Sequence, residues 1–175
     1  MITFSETQRF RQWWIWLSLA AMEAYIIYGF VQQIVLGHPF GSRPAPDWAL
    51  YILICVPSLF VGLAVSLRLE TKINGDGVFL RYKPFINTTR AFLWKDVGSA
   101  FVRQYRPIAE YGGWGIRGNF YGRWNGKAYS VSGNMGLQLV MKNGKKILIG
   151  TCNAEELKAV LQRLADKKLV INAEI

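Results

Sequence analysis

The chain has 175 residues, 51% of them hydrophobic, with 21 Lys or Arg against 11 Asp or Glu. The net charge of +10 sits entirely in residues 68–175, which hold 18 basic and 8 acidic side chains, while residues 1–67 balance three against three. Apolar runs are concentrated at one end and basic charge at the other, which excludes an ordinary soluble globule and leaves chain for one small extramembrane domain.

Residues 1–12 read as a short polar lead. The first apolar run, residues 13–36, has 24 residues and one charge, Glu23; the second, residues 48–67, has 20 and none. At about 1.5 Å per helical residue, each is long enough for a hydrocarbon core of about 30 Å. Backbone groups find no water there, so helix is the expected state of both. The first run continues sixteen residues past Ala20, longer than a cleaved leader needs, so an uncleaved anchor is expected. Trp13, Trp14 and Trp16, and then Trp48 and Tyr51, stand where an aromatic belt meets the headgroups. The Gly- and Pro-rich residues 37–47 close an antiparallel hairpin, and domain one is residues 1–67. That loop carries only Arg43, whereas both flanks of the hairpin are basic, so the N- and C-termini are expected in the cytoplasm.

Two features inside the helices invite partners. Ser58, Gly62 and Ser66 recur every fourth residue, a small-residue stripe that admits the first helix or a helix of another subunit at close range. Glu23 is a costly intramembrane carboxylate, expected to make a polar contact with another subunit or with buried backbone, with neutralisation by protonation as the alternative.

From Arg68 the period changes from helical to alternating. Residues 68–73 and 78–82 flank Asn74-Gly75-Asp76-Gly77, a strand, turn and strand. Residues 90–93 and 99–105 read as strands around Trp94-Lys95-Asp96-Val97. Residues 114–117 and 128–131 are weaker strands, and 137–141 and 146–149 form a second hairpin. Asn153-Ala154-Glu155-Glu156 reads as a helix start, followed by Leu157, Val160, Leu161 and Leu164 on one apolar face. The expected fold is a two-helix transmembrane hairpin followed by an α+β domain, residues 68–166. In it a strongly bent antiparallel sheet is capped by a C-terminal helix, and residues 167–175 are a tail.

About seven strands and a terminal helix, with Gly77-Val78, Phe92-Leu93-Trp94-Lys95-Asp96-Val97 and Ile149-Gly150-Thr151 before Asn153-Ala154-Glu155-Glu156-Leu157, resemble the bacterial pleckstrin-homology-like (PH-like) domain. Tyr111-Gly112-Gly113-Trp114-Gly115-Ile116-Arg117-Gly118 is similar to a phrase in uncharacterised bacterial membrane proteins with two N-terminal helices. The resemblance implies the bacterial inner membrane, a binding and scaffolding fold, and no catalytic residues.

Lys72, Arg81 and Lys83 resemble the phosphoinositide-reading spacing of eukaryotic pleckstrin domains, but the Asn74 turn lies roughly 20 Å along the strand from Arg68. A solvated basic face is the simpler expectation, with Arg68, Lys72, Arg81 and Lys83 as weak candidates for anionic-lipid contact. Rings and arginines crowd residues 103–124, so Arg103, Arg106, Tyr111, Trp114, Arg117 and Trp124 are candidates for a protein interface, with core filling as the equal alternative. Residues 113–118 match G-x-G-x-x-G without the strand and helix that a phosphate turn needs. The single His38 and two separated cysteines, Cys55 and Cys152, offer no Cys-His pair, metal set or disulfide framework, so no cofactor is expected. The expected function is non-enzymatic: a module for protein-protein interaction, serving as an accessory or scaffolding subunit of a larger respiratory, photosynthetic, transport or secretion complex. A peripheral module for anionic lipid surfaces is the alternative, a membrane enzyme is a remote one, and no nucleic acid is expected.

Overall fold

The computed structural model describes residues 2–10, 12–118 and 126–167. The chain forms two compact units: Arg11–Ser66, and Met1–Phe10 together with Leu67–Ile175.

The first unit is a helical hairpin. Helix α1 (Trp13–Phe30) runs on through one π turn (Val31–Val35), and α2 is Asp47–Ser66. Both are long and apolar enough to cross a membrane, and only 6% of each apolar window is buried. A soluble core helix would hide such a surface, whereas here Leu59 and Phe60 are 63% exposed. At the closed end Phe40 packs edge-on against Tyr25 and Tyr28, at centroid distances of 5.5 and 5.6 Å. Gly29 makes room for it, since a Cβ there would stand 2.8 Å from the Phe40 ring. The Gln33 amide donates to the Ala45 carbonyl at 2.6 Å and to Asp47 Oδ1 at 2.8 Å, tying the loop to both helices.

The second unit holds two sheets. One is four-stranded and antiparallel, in the order β1 (Ile2–Arg9), β2 (Arg68–Asn74), β3 (Gly77–Lys83), β4 (Ile86–Leu93). The other contains β5 (Val97–Gln104), β6 (Gly115–Arg117), β7 (Lys127–Ser130), β8 (Met135–Met141) and β9 (Lys146–Thr151), in the order β5-β8-β9-β7-β6. Its pairs are antiparallel except β7 with β9, which run parallel. Gly126, at φ 110°, permits that pairing: a Cβ would fall 2.2 Å from the Lys146 carbonyl oxygen. The inner faces of the sheets, Leu69, Ile73, Val78 and Leu80 against Leu137, Leu139 and Ile149, share one core with α4 (Ala154–Asp166). Helix α4 contributes Leu157, Val160, Leu161 and Leu164, as its spacing predicts.

Two expectations need correction. The strands form two sheets rather than one bent sheet. A 3-10 turn, Trp94–Asp96, breaks the ladder between β4 and β5, with the Trp94 indole donating to the Asn74 carbonyl at 2.8 Å. Residues 2–9 are also not a polar lead but strand β1, paired with β2 from Phe4↔Ile73 to Arg9↔Arg68. The domain therefore comprises two chain segments, and the helical hairpin is the connection between adjacent strands.

Strand β1 is fastened by polar groups. Its inward residues after Phe4 are Glu6 and Gln8, 8% and 3% exposed. Thr151 Oγ1 donates to Glu6 Oε2 and the Cys152 N–H to Glu6 Oε1, each at 2.7 Å, while the Gln8 amide donates to the Gly150 carbonyl. The start of α4 is organised by this contact and by Thr151 Oγ1, which accepts the Asn153 N–H at 3.1 Å; the Asn153 side chain makes no cap.

Candidate functional site

Segment 103–117, the candidate interface, is built around a short helix, α3 (Pro107–Tyr111), with proline in its first turn and Gly112 closing it at φ 70°. Arg103 lies beneath it. Its Nη2 donates to Glu110 Oε2 at 2.7 Å and to the Tyr111 hydroxyl at 3.3 Å, and its Nε donates to Gln138 Oε1 at 3.1 Å. Burial works against the Arg103 charge, but the Glu110 carboxylate and Tyr111 outweigh it and hold its pKa above the ordinary value. Glu110 moves below the usual carboxylate range, chiefly through its hydrogen bond with Arg103 and also through the Arg106 N–H. Tyr111 and Tyr105 pack edge to face at 6.1 Å over Ala128 and Leu148.

Tyr111, only 2% exposed, is thus committed to the domain's interior, and Arg103, half-buried, spends its donors on Glu110, Tyr111 and Gln138. The outward groups are Arg106, Arg117, part of Trp114, and Ile108, which is 72% exposed. The Trp114 indole donates to the Gly133 carbonyl at 2.8 Å, and Arg117 Nε donates to the Trp114 carbonyl at 3.2 Å, so this rim is held in place. Trp124 lies outside the described residues.

The outer face of the four-stranded sheet collects the candidate lipid residues. Register places Arg9, Arg68 and Lys83 on one rung, Thr7, Glu70 and Arg81 on the next, and Ser5, Lys72 and Phe79 on the third. Lys83 pairs with Glu70 at 2.7 Å, which draws the Glu70 carboxyl below its ordinary pKa. Arg81 Nε donates to Thr89 Oγ1 at 2.7 Å. A hollow of about 110 Å³ lies among Glu70, Lys72, Arg81 and Thr89, and another of about 210 Å³ beside Arg103 and Phe101. Both fall below the roughly 300 Å³ at which small-molecule pockets begin. These surfaces suit docking rather than enclosure.

In the hairpin, Glu23 Oε1 accepts a hydrogen bond from Ser58 Oγ of the neighbouring helix. Along the small-residue stripe the three positions have different surroundings. Ser58 serves Glu23, Ser66 Oγ turns back to the Leu63 carbonyl at 2.7 Å, and no atom lies within 4 Å of a Cβ added at Gly62.

Sequence reading missed Arg9 and Glu6, which belong to a strand whose inward positions are polar, so no alternation marks it. Among the described residues no three His, Cys, Asp or Glu side chains come together as a metal set. Comparison with protein-family models, curated proteins and solved structures gives no match. The class defined by the fold itself is a chain with two apolar helices long enough to span a membrane and a two-sheet domain closed by a C-terminal helix.

Proposed function

We propose that this chain is a non-enzymatic protein of the bacterial inner membrane that presents a PH-like module in the cytoplasm for protein-protein interaction, as an accessory or scaffolding subunit of a larger membrane complex. The observation that carries the reading is the α3 rim. Ile108 stands 72% exposed on a helix held by the Arg103–Glu110 ion pair and the Tyr105–Tyr111 contact, with Arg106 and Arg117 exposed in the same segment. An exposed apolar side chain on a rigid support, accompanied by arginines, has the make-up of an interface anchor. Gly62, open toward its surroundings, supports a second contact within the membrane.

The two-segment domain supports the orientation. β1 precedes the helices and β2 follows them, yet the two strands pair, so both flanks of the hairpin lie on one side and the number of crossings is even. The basic bias of those flanks assigns that side to the cytoplasm. A cysteine at Ser42 should react with an impermeant thiol reagent from the periplasm, and one at Lys145 should not; reversed labelling overturns the orientation. In mild detergent the native protein should co-migrate with other chains, and I108D should lose them while keeping its fold. A solitary wild-type protein, unaffected by I108D, overturns the accessory-subunit reading.

A further inference from the structure

The register of the four-stranded sheet separates its basic residues by their distance along the strands from the links to the apolar helices. Arg68 follows Ser66 by two residues and Arg9 precedes Trp13 by four, so the extended chain keeps their Cα atoms within about 7 and 14 Å of the helix ends. Lys83 pairs with Arg68 on the next strand, completing a rung of three cations. The second rung lies about 7 Å further along the strands and the third about 13 Å. On the nearest rung Arg9 and Arg68 are exposed and make no ion pair among the described residues, while Lys83 is held by Glu70 at 2.7 Å. Arg81, on the second rung, is engaged with Thr89, and Glu70 there is the one carboxylate that the register puts on this face.

We infer that Arg9, Arg68 and Lys83 form a contact site for anionic phospholipid headgroups of the bilayer that the helices cross. The inference rests on the membrane-anchored reading and narrows the sheet's basic face to its first rung: Lys72 and Arg81 lie further along the strands from the links to the helices, and Arg9 joins. Two short links deliver the rung to the surface, so little chain freedom is lost when it engages, and three cations facing one carboxylate complement a negatively charged leaflet.

The test uses the full chain in mild detergent with phosphatidylglycerol or phosphatidylcholine added, and counts retained lipids by native mass spectrometry. The wild type should retain phosphatidylglycerol at concentrations where phosphatidylcholine is lost. R9Q and R68Q, each at an exposed position, should each weaken that preference by about fivefold, the worth of one basic side chain near an anionic surface. K142Q/K145Q, which removes two cations from the β8–β9 turn, should leave the preference intact. Equal retention of the two lipids, unchanged preference in R9Q and R68Q, or an equal loss in K142Q/K145Q overturns the site. Alkaline carbonate extraction of native membranes separates the two failures: a chain released by carbonate overturns the anchored reading, whereas a chain that stays in the membrane without lipid preference overturns the headgroup site alone.

Discussion

Replacing Glu6 by Ala tests whether β1 is a structural member of the domain. The carboxylate accepts from Thr151 Oγ1 and from the Cys152 N–H, each at 2.7 Å, and Thr151 is only 2% exposed. Removing it strands a buried hydroxyl at about 1–3 kcal/mol and a partly buried amide at about 1 kcal/mol, since water reaches the latter. The sum, about 2–4 kcal/mol, corresponds to a fall in Tm of about 8–16 °C for a domain of this size. The assay is thermal unfolding of the full chain in mild detergent, followed by near-ultraviolet circular dichroism. Thr7→Ala, on the outward face of the same strand, is the control and should stay within about 0.5 kcal/mol. A cycle with Thr151→Val should show coupling of about 1 kcal/mol, because the two changes remove one shared hydrogen bond. A folded Glu6→Ala variant whose Tm lies within about 2 °C of wild type would refute the reasoning.

Leu161→Ala should cost about 2–5 kcal/mol, because the side chain is 4% exposed where α4 meets both sheets; chemical denaturation checks it. Burial raises the Tyr82 hydroxyl to about 12, above the ordinary value of 10.0 that it has when unfolded. The stability this contributes is complete below pH 10 and is lost as pH rises toward about 12, so alkaline denaturation should begin in that window and Tyr82→Phe should flatten it. Glu110 has the opposite sign: its lowered pKa adds stability at neutral pH that fades as the medium is acidified through and below the usual carboxylate range, and Glu110→Gln should remove that dependence. Gly29→Leu should displace Phe40 and lower the hairpin's resistance to denaturing detergent, while Gly62→Leu, facing open space, should not.

The helices and α4 were legible because their signals are long: two apolar runs, and a face recurring at Leu157, Val160, Leu161 and Leu164. The two hairpins were legible through turn residues such as Asn74 to Gly77, where the Asn74 side chain accepts the Asp76 N–H at 2.9 Å. Strand β1 escaped because its buried face is Phe4, Glu6 and Gln8, so the pattern that marks a half-buried strand is replaced by polar contacts made with residues about 145 positions away. The division into two sheets depends on one turn around Trp94, whose indole bond to the Asn74 carbonyl leaves no periodic trace. In the candidate interface, composition did not separate the inside of the segment from its outside. Tyr111 and Trp114 are three residues apart on a chain that bends at Gly112 and Gly113, so one ring enters the core and the other stays at the rim.

The position of β1 has a consequence for synthesis. Glu6 and Thr151 are separated by 145 residues, and chains grow at about 5–20 residues per second, so Glu6 waits roughly 7–30 s for its buried partner to be made. During the first part of that interval both apolar helices are made while the strand that precedes them has nothing to pair with. Ser5, Thr7 and Arg9 on one side and Glu6 and Gln8 on the other keep that waiting segment hydrophilic. A more apolar strand would merge with the first apolar run, and the polar inner face that hides β1 from pattern reading also marks it off from that run until β2 arrives.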